Sequence, residues 1–584
     1  MPRARADILL NAKQYVLREI SPGVLIRRRQ LPIFPPTQTP SPDRVSRNAL
    51  TPIWVQNDFT GGLGLATVGV LDQSKRNRYW WTTLETAFGR YVELQLLKVT
   101  ESHASAADHL RVYQEAFGDL WGLFHKDNST STDTVVARKY GATSDDWTGG
   151  GTVATEITGT DGIFAEDMVL HKERLHAIVA TAGGAKTLTG YSSSDGITWT
   201  AWTNTGAVYV STHNTVLSNT ADKIGAVGRL LDFGNTLLVA RRDDTAKDID
   251  IYKSTDAGVN WTTVATIGSE SDGPRAFVSW FNRSGTLVPV LLTSNRAYWL
   301  DLTNSTATEL LPSGIFQGGI VGRCAVVAAD GHLYVGIATG DTLQLSLGAS
   351  FPGSQVEIVV RNIGPATKAH YEDSDGLPSD YQGRVTAIYG GDPRWLFAGY
   401  GGLASGKFAS VLRFEYRTGA WTPFHTYVTA NLEIMALTLS SEDDALPRLH
   451  VAVDGAAADV LIMFEEPLKP HWVSAAATAT TGILQRPYQH FDADGLAKAF
   501  LRVLVRADDL SAAATGEYIT YKYGIDGAVR TTTNLGDFLS GTKQLDVASG
   551  AGVSINDIGD ELTFTRDAGD TTQSPKLASV SMFY

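Results

Sequence analysis

Tryptophan recurs along this chain at a spacing that few folds can use. Trp147, Trp199 and Trp261 follow one another at intervals of 52 and 62 residues, and Trp421 and Trp472 are 51 apart. The 160 residues between Trp261 and Trp421 hold three further units of about 53 residues, the length of a four-stranded propeller blade. Apolar runs precede two of these tryptophans, Met168–Ala180 and Leu230–Ala240, and Thr286–Leu300, Ala325–Leu347, Val385–Trp421 and Leu449–Trp472 keep the same outline. One four-stranded sheet cannot bury both of its faces, whereas a ring of them buries each face against the next and leaves only short outer edges open. The expected fold class is all-β: a β-propeller of about seven blades over residues 105–473, followed by a β-sandwich of jelly-roll type over 474–584.

Charge divides the chain further. Residues 1–50 carry nine Lys/Arg, Arg27, Arg28 and Arg29 among them, against three acids, or about +6; the net charge of −13 therefore leaves about −19 on the rest. With the proline-rich stretch Leu31–Pro42, this segment reads as an extended basic arm used in assembly. Residues 51–104 read as a β segment joining the arm to the propeller, with a helical turn expected in Ser102–Glu115. In the last region Phe500–Arg506, Tyr518–Tyr523 and Leu562–Arg566 alternate like half-buried strands, and Ala578–Tyr584 is expected to close the sandwich with its two aromatics buried. An acidic body does not suit nucleic acid. No apolar run of about 18 residues is present to insert into a membrane, and Met1–Leu10 lacks the apolar core of a secretory signal. Cys324, the one cysteine, sits in an apolar stretch and reads as a buried thiol.

Two segments nearly match: Tyr191–Trp199 (YSSSDGITW) and Tyr252–Trp261 (YKSTDAGVNW). Ser254, Asp256, Gly258 and Trp261 fit the pattern S-x-D-x-G-x-x-W, and Ser193, Asp195, Gly196 and Trp199 fit it with one residue deleted. The carboxylate caps the backbone of the turn, the glycine supplies positive φ, and the tryptophan folds under the hairpin. These segments resemble the Asp boxes, or BNR repeats, of sialidases, sortilin-like receptors and virus tail proteins. The resemblance implies a propeller, with the boxes structural and away from any ligand face.

A complete catalytic set is not apparent. The resemblance to sialidases would require an Arg-Ile-Pro-like strand, three arginines and a Tyr/Glu pair, and Arg-Ile-Pro does not occur. The chain has no His-Glu-x-x-His, nucleophile elbow or phosphate loop. Asp373, Asp375 and Asp380 are weak candidates for a calcium loop and read first as a solvated turn, as do Asp492 and Asp494, and Asp243, Asp244, Asp248 and Asp250. No cofactor, metal or catalytic residue is expected. Trp54, Trp80, Trp81, Trp121, Trp280, Trp299 and Trp395 are read as core, and Tyr488 and Phe491 as core or sugar-binding.

The layout as a whole resembles bacteriophage tail proteins: a basic arm, the segment Trp54, Asp58, Phe59, Gly61, Gly62, Leu63, Gly64, a propeller, and a closing sandwich. That resemblance implies a non-enzymatic, oligomeric structural component of a virion tail. Its partners would be other tail proteins and copies of itself, and it would face a host-surface glycan or receptor. The alternative is an extracellular carbohydrate-binding protein or sialidase-like glycoside hydrolase.

Overall fold

In the computed structural model the strands of the repeat region gather into seven sheets. The described residues are 8–10, 13–19, 24–28 and 54–584, except for 70–76, 90, 104–107, 127–132, 142–143, 156–162, 182–187, 203–226, 244–247, 269–272, 349–355, 367–374, 402–405, 441–446, 455–458, 470–476 and 491–497. Blades 1 to 6 occupy 108–155, 163–201, 228–267, 276–311, 320–365 and 385–430, each an antiparallel meander of four consecutive strands. Blade 7 takes three strands from 434–465. The first strand of each blade lies beside the first strand of the next, and blade 7 returns to blade 1, so the ring is closed. Middle strands are wedged between neighbouring blades and bury both faces, as Trp395–Tyr400 does without interruption.

The fourth strand of blade 7 comes from the other side of the propeller in sequence. Val99–Thr100 pairs antiparallel with Val460–Glu465, and Ser102–His103 then pairs in parallel with Asp146–Thr155 of blade 1. Five residues thus bridge the two ends of the ring. Glu101, in the middle, is buried. It accepts Trp147 Nε1 of blade 1 at 2.9 Å and bonds His450 Nδ1 of blade 7, whose Nε2 meets Ser440 Oγ at 2.8 Å. The helical turn expected near here is instead the inner strand Asp108–Ala116. Trp472, taken as the end of the last blade, lies outside the described residues.

The sandwich draws on both ends of this body. One sheet orders Thr533–Phe538, Tyr518–Ile525, Asp557–Thr565, Thr481–Gln485 and Trp81–Thr82, and Tyr488–His490 joins it while pairing in parallel with Thr67–Gly69. The other orders Trp54–Gln56, Lys576–Phe583, Arg502–Asp508 and Gln544–Asp546. Residues 51–104, expected to join arm and propeller, therefore supply three sandwich strands, and the propeller is an insertion into the sandwich. These strands are two or three residues long, too short to show a period. Of the closing aromatics, Phe583 and Tyr584 are half-buried, and Met582 is the residue that enters the core.

The sandwich lies against blade 6. Leu63 N donates to Trp421 O at 2.9 Å and Gln95 Nε2 to Pro423 O at 3.1 Å. Trp81 stacks on Tyr381 at 4.0 Å between centroids. Arg413 of blade 6, fully buried, pairs with Glu85. One apolar core runs from Trp54, Leu562 and Met582 of the sandwich into Leu333, Leu412 and Trp421 of blades 5 and 6.

Residues Met1–Thr51 form a separate unit. Ile8–Leu10, Lys13–Glu19 and Val24–Arg28 make an antiparallel three-stranded sheet, not the extended arm expected. The runs KQYVLRE and VLIRR have strand composition, and Ser21-Pro22-Gly23 between them is a turn sequence. Arg27 and Arg28 lie in the third strand; Arg29 and Leu31–Pro42 fall outside the described residues.

Candidate functional site

Strand direction alternates within a blade, so the two ends of the ring differ. Turns between third and fourth strands gather at one end. The starts of the innermost strands, with the turns between second and third strands, gather at the other.

Both Ser-x-Asp turns, at Ser193–Trp199 and Ser254–Trp261, stand at the first end. Asp195 Oδ1 accepts Ile197 N at 2.9 Å, Thr198 N at 2.7 Å and the Ser193 hydroxyl at 2.8 Å. Asp256 Oδ1 accepts Asn260 N and the Ser254 hydroxyl, each at 2.8 Å. Trp199 and Trp261 donate from Nε1 to Gly196 O and Gly258 O at 3.0 Å. Gly196 has φ +72°, and a Cβ there would lie 2.2 Å from the ring of Trp121 in blade 1, so the box also fits one blade to the next. Asp301 in blade 4 caps Thr303 N and Asn304 N at 2.9 Å in the equivalent turn, a degenerate box without the serine or tryptophan that would have marked it in sequence. Hydrogen bonds from the backbone hold Asp195 and Asp256 down to about 2, against 3.8 for an ordinary aspartate. A depressed carboxyl stabilises the fold above its unfolded value and loses that contribution as pH falls from about 4 to 2. Acid titration of the fold should therefore become shallower across that window in Asp195→Asn and Asp256→Asn; an unchanged titration would refute the capping role.

The charged chemistry sits at the opposite end, on the ring axis. Inner strands of blades 1, 2, 5, 6 and 7 each bulge near their start: the pairing skips Arg111, Glu166, residues 321–324, Thr386 and Met435. A bulge leaves its extra residue out of the ladder and re-aims its side chain. Arg323 of blade 5 bonds Arg111 O of blade 1 at 3.4 Å and Glu166 O of blade 2, and pairs with Asp167 Oδ1 at 2.9 Å. Arg229 of blade 3 pairs with Glu166 Oε2 at 3.3 Å and donates to Arg275 O at 2.8 Å. Arg384 of blade 6 makes a two-pronged pair with Glu433 of blade 7. Asp459 accepts Leu110 N at 2.7 Å and bonds His109 Nδ1 at 2.9 Å.

Asp167 and Asp459 each accept more than one hydrogen bond or ion pair here. Asp167 also accepts Met168 N at 2.8 Å and Leu230 N at 2.9 Å. Glu166 differs: it is buried, and Oε1 has no hydrogen-bond partner. Burial pushes its carboxyl up, against the guanidinium of Arg229 and the N–H groups of Gly228 and Val227. Burial likewise brings Arg323 down to about 10. The cluster therefore offers the half-buried guanidinium groups of Arg111 and Arg323 and the buried one of Arg229 beside one carboxyl biased towards its protonated form, a combination that binds anions and can donate a proton.

None of these residues was singled out in the sequence, because they come from strands and strand ends of blades far apart along the chain. The candidates that were singled out lie elsewhere. Asp375 clips the propeller to the sandwich: its Oδ2 accepts Ala66 N at 2.8 Å and its N–H donates to Gly64 O at 2.7 Å. Asp380 is exposed, and Asp373, Asp244, Asp492 and Asp494 are outside the described residues. Asp243, Asp248 and Asp250 converge at one hairpin, where Arg241 pairs with Asp250 at 2.8 Å. Cys324 is buried and free. Trp54, Trp81, Trp121, Trp280 and Trp395 are core, and Tyr488 lies under the Arg530 guanidinium, 4.0 Å from ring centroid to Cζ.

No family profile and no curated protein matches the chain. Among solved structures, the chain is similar to Sqt1 from Chaetomium thermophilum, at 10 % identity over 61 % of this chain and 83 % of that one, with a TM-score of 0.36. An exo-β-1,3-galactanase from Phanerochaete chrysosporium is similar at 8 % identity over 84 % and 99 %, TM-score 0.28. An α-L-arabinofuranosidase from Fusarium graminearum is similar at 9 % identity over 63 % and 97 %, TM-score 0.32.

Proposed function

We propose that the protein is a receptor-recognising component of an adsorption apparatus of the bacteriophage-tail kind, and that it binds an acidic glycan at the axial end of the propeller. One observation carries the binding reading: the inner strands of blades 1, 3 and 5 bring Arg111, Arg229 and Arg323 towards Glu166, Arg111 and Arg323 from bulges and Arg229 from the regular ladder. Guanidinium groups held by a closed ring are pre-organised for a carboxylate or sulfate, so little freedom is lost on binding. The tail reading is supported by the order of parts along the chain and by a basic N-terminal unit separate from the body. Such a unit suits attachment to a neighbouring protein.

A second reading is favoured by Glu166 alone. A carboxyl raised by burial is suited to general acid catalysis, as a glycoside hydrolase requires. One experiment separates the two. Full-length protein is applied to an array of acidic and neutral glycans, and bound glycans are then assayed for sugar release. Retention of acidic glycans without release, weakened at least tenfold by Arg323→Ala, is the expected result. Release that stops in Glu166→Gln establishes the hydrolase. Failure to retain any glycan on the array overturns the glycan reading.

A further inference from the structure

Between blades 7 and 1, at the rim of the axial end, three side chains meet whose chemistry is that of a metal centre. One ligand atom each from His109, Asp454 and Asp459 lie within 4.8 Å of one another. His109 is the second residue of the inner strand of blade 1, and Asp454 and Asp459 directly follow the second strand and precede the third strand of blade 7. A tetrahedral ion with bonds of about 2.1 Å holds its ligands roughly 3.4 Å apart, within the 4.8 Å that bounds these three atoms.

A second observation comes from the neighbouring strand. His125 is the direct pairing partner of His109, on the same face of the sheet, with ring centroids 6.3 Å apart. It is 3 % exposed, and neither ring nitrogen makes a hydrogen bond. Its Nε2 stands 4.0 Å from Asp133 Oδ2, too far for one. A buried imidazole with both nitrogens unmatched costs stability unless something completes it.

We propose that His109, His125, Asp454 and Asp459 form a binding site for a divalent zinc-like cation. Two imidazoles with two carboxylates match zinc better than calcium, which prefers oxygen alone.

The test is equilibrium dialysis of the chelator-treated full-length chain against Zn²⁺, with metal counted per chain and melting followed in parallel. One tightly held Zn²⁺ per chain is expected, with a melting midpoint raised by the ion. Affinity should fall at least tenfold in His109→Ala and in His125→Ala, and should not change in the control His490→Ala. Asp454→Asn gives a second route to the same loss should either histidine variant fold poorly, and Ca²⁺ in place of Zn²⁺ should leave the melting midpoint where it was. No uptake, or uptake equal in the wild type and all three site variants, overturns the proposal.

Discussion

Glu101→Ala is expected to destabilise the fold by roughly 3–5 kcal/mol, because it strips a buried charge partner from two groups at once. Trp147 Nε1 and His450 Nδ1 would both be left in the core without an acceptor, one in each of the blades that the bridge holds together. The strands that Glu101 joins at this seam are short: Val99–Thr100 on blade 7 and Ser102–His103 on blade 1 are two residues each. Denaturant titration gives the loss. Hydrogen exchange locates it, with faster exchange expected in Val460–Glu465 and Asp146–Thr155 before the other blades. Glu101→Gln, which keeps one carbonyl acceptor, should fall between the wild type and the alanine variant. A loss under about 1 kcal/mol, the size of a surface pair, would show that the seam is held by packing alone.

The second large effect is expected at Arg413. Its guanidinium is fully buried, donates to Thr422 Oγ1 at 3.1 Å, lies 4.9 Å from the ring of Trp395 and 5.4 Å from that of Phe424, and pairs with Glu85 of the sandwich. Arg413→Met keeps much of the volume but leaves the Glu85 carboxylate buried without its cation, at an expected cost of about 3–5 kcal/mol. Glu85 also accepts Ala87 N at 2.8 Å, so it cannot simply turn away to solvent. Removing both charges in Arg413→Met/Glu85→Gln should recover most of the loss, since an apolar or neutral pair of similar size is tolerated where a lone charge is not. Equal instability of the single and double variants would place the effect in packing around Trp395.

The propeller was legible because its period survives in large residues. Trp147, Trp199, Trp261 and Trp421 all stand within or at the entry to the outermost strand of their blade, where a big ring closes the hairpin. The turns at Asp195 and Asp256 were legible for the same reason, since serine, aspartate, glycine and tryptophan each do a task in one turn. The sandwich was half visible. Arg502–Asp508 alternates buried and exposed along its length, whereas Trp81–Thr82 and Thr67–Gly69 are pairing partners only because distant strands reach them. The axial cluster was not visible. Its arginines and acids follow no spacing, and a bulge at Glu166 or Arg111 depends on the opposing strand, which a local sequence does not describe.

The insertion of the propeller into the sandwich sets the order in which the chain can be completed as it is made. Thr100 is already present when Ile462 and Met463 emerge, so the ring can shut as soon as blade 7 is synthesised. Trp54 must wait for Met582, and Trp81 for Gln485, separations of more than 400 residues that make these among the slowest contacts to form. Through that interval Trp54, Trp81 and their neighbours are exposed apolar edges on a nascent chain. A holding factor, or rapid docking onto the finished blade 6 through Leu63 and Trp421, would shield them until the last strand arrives.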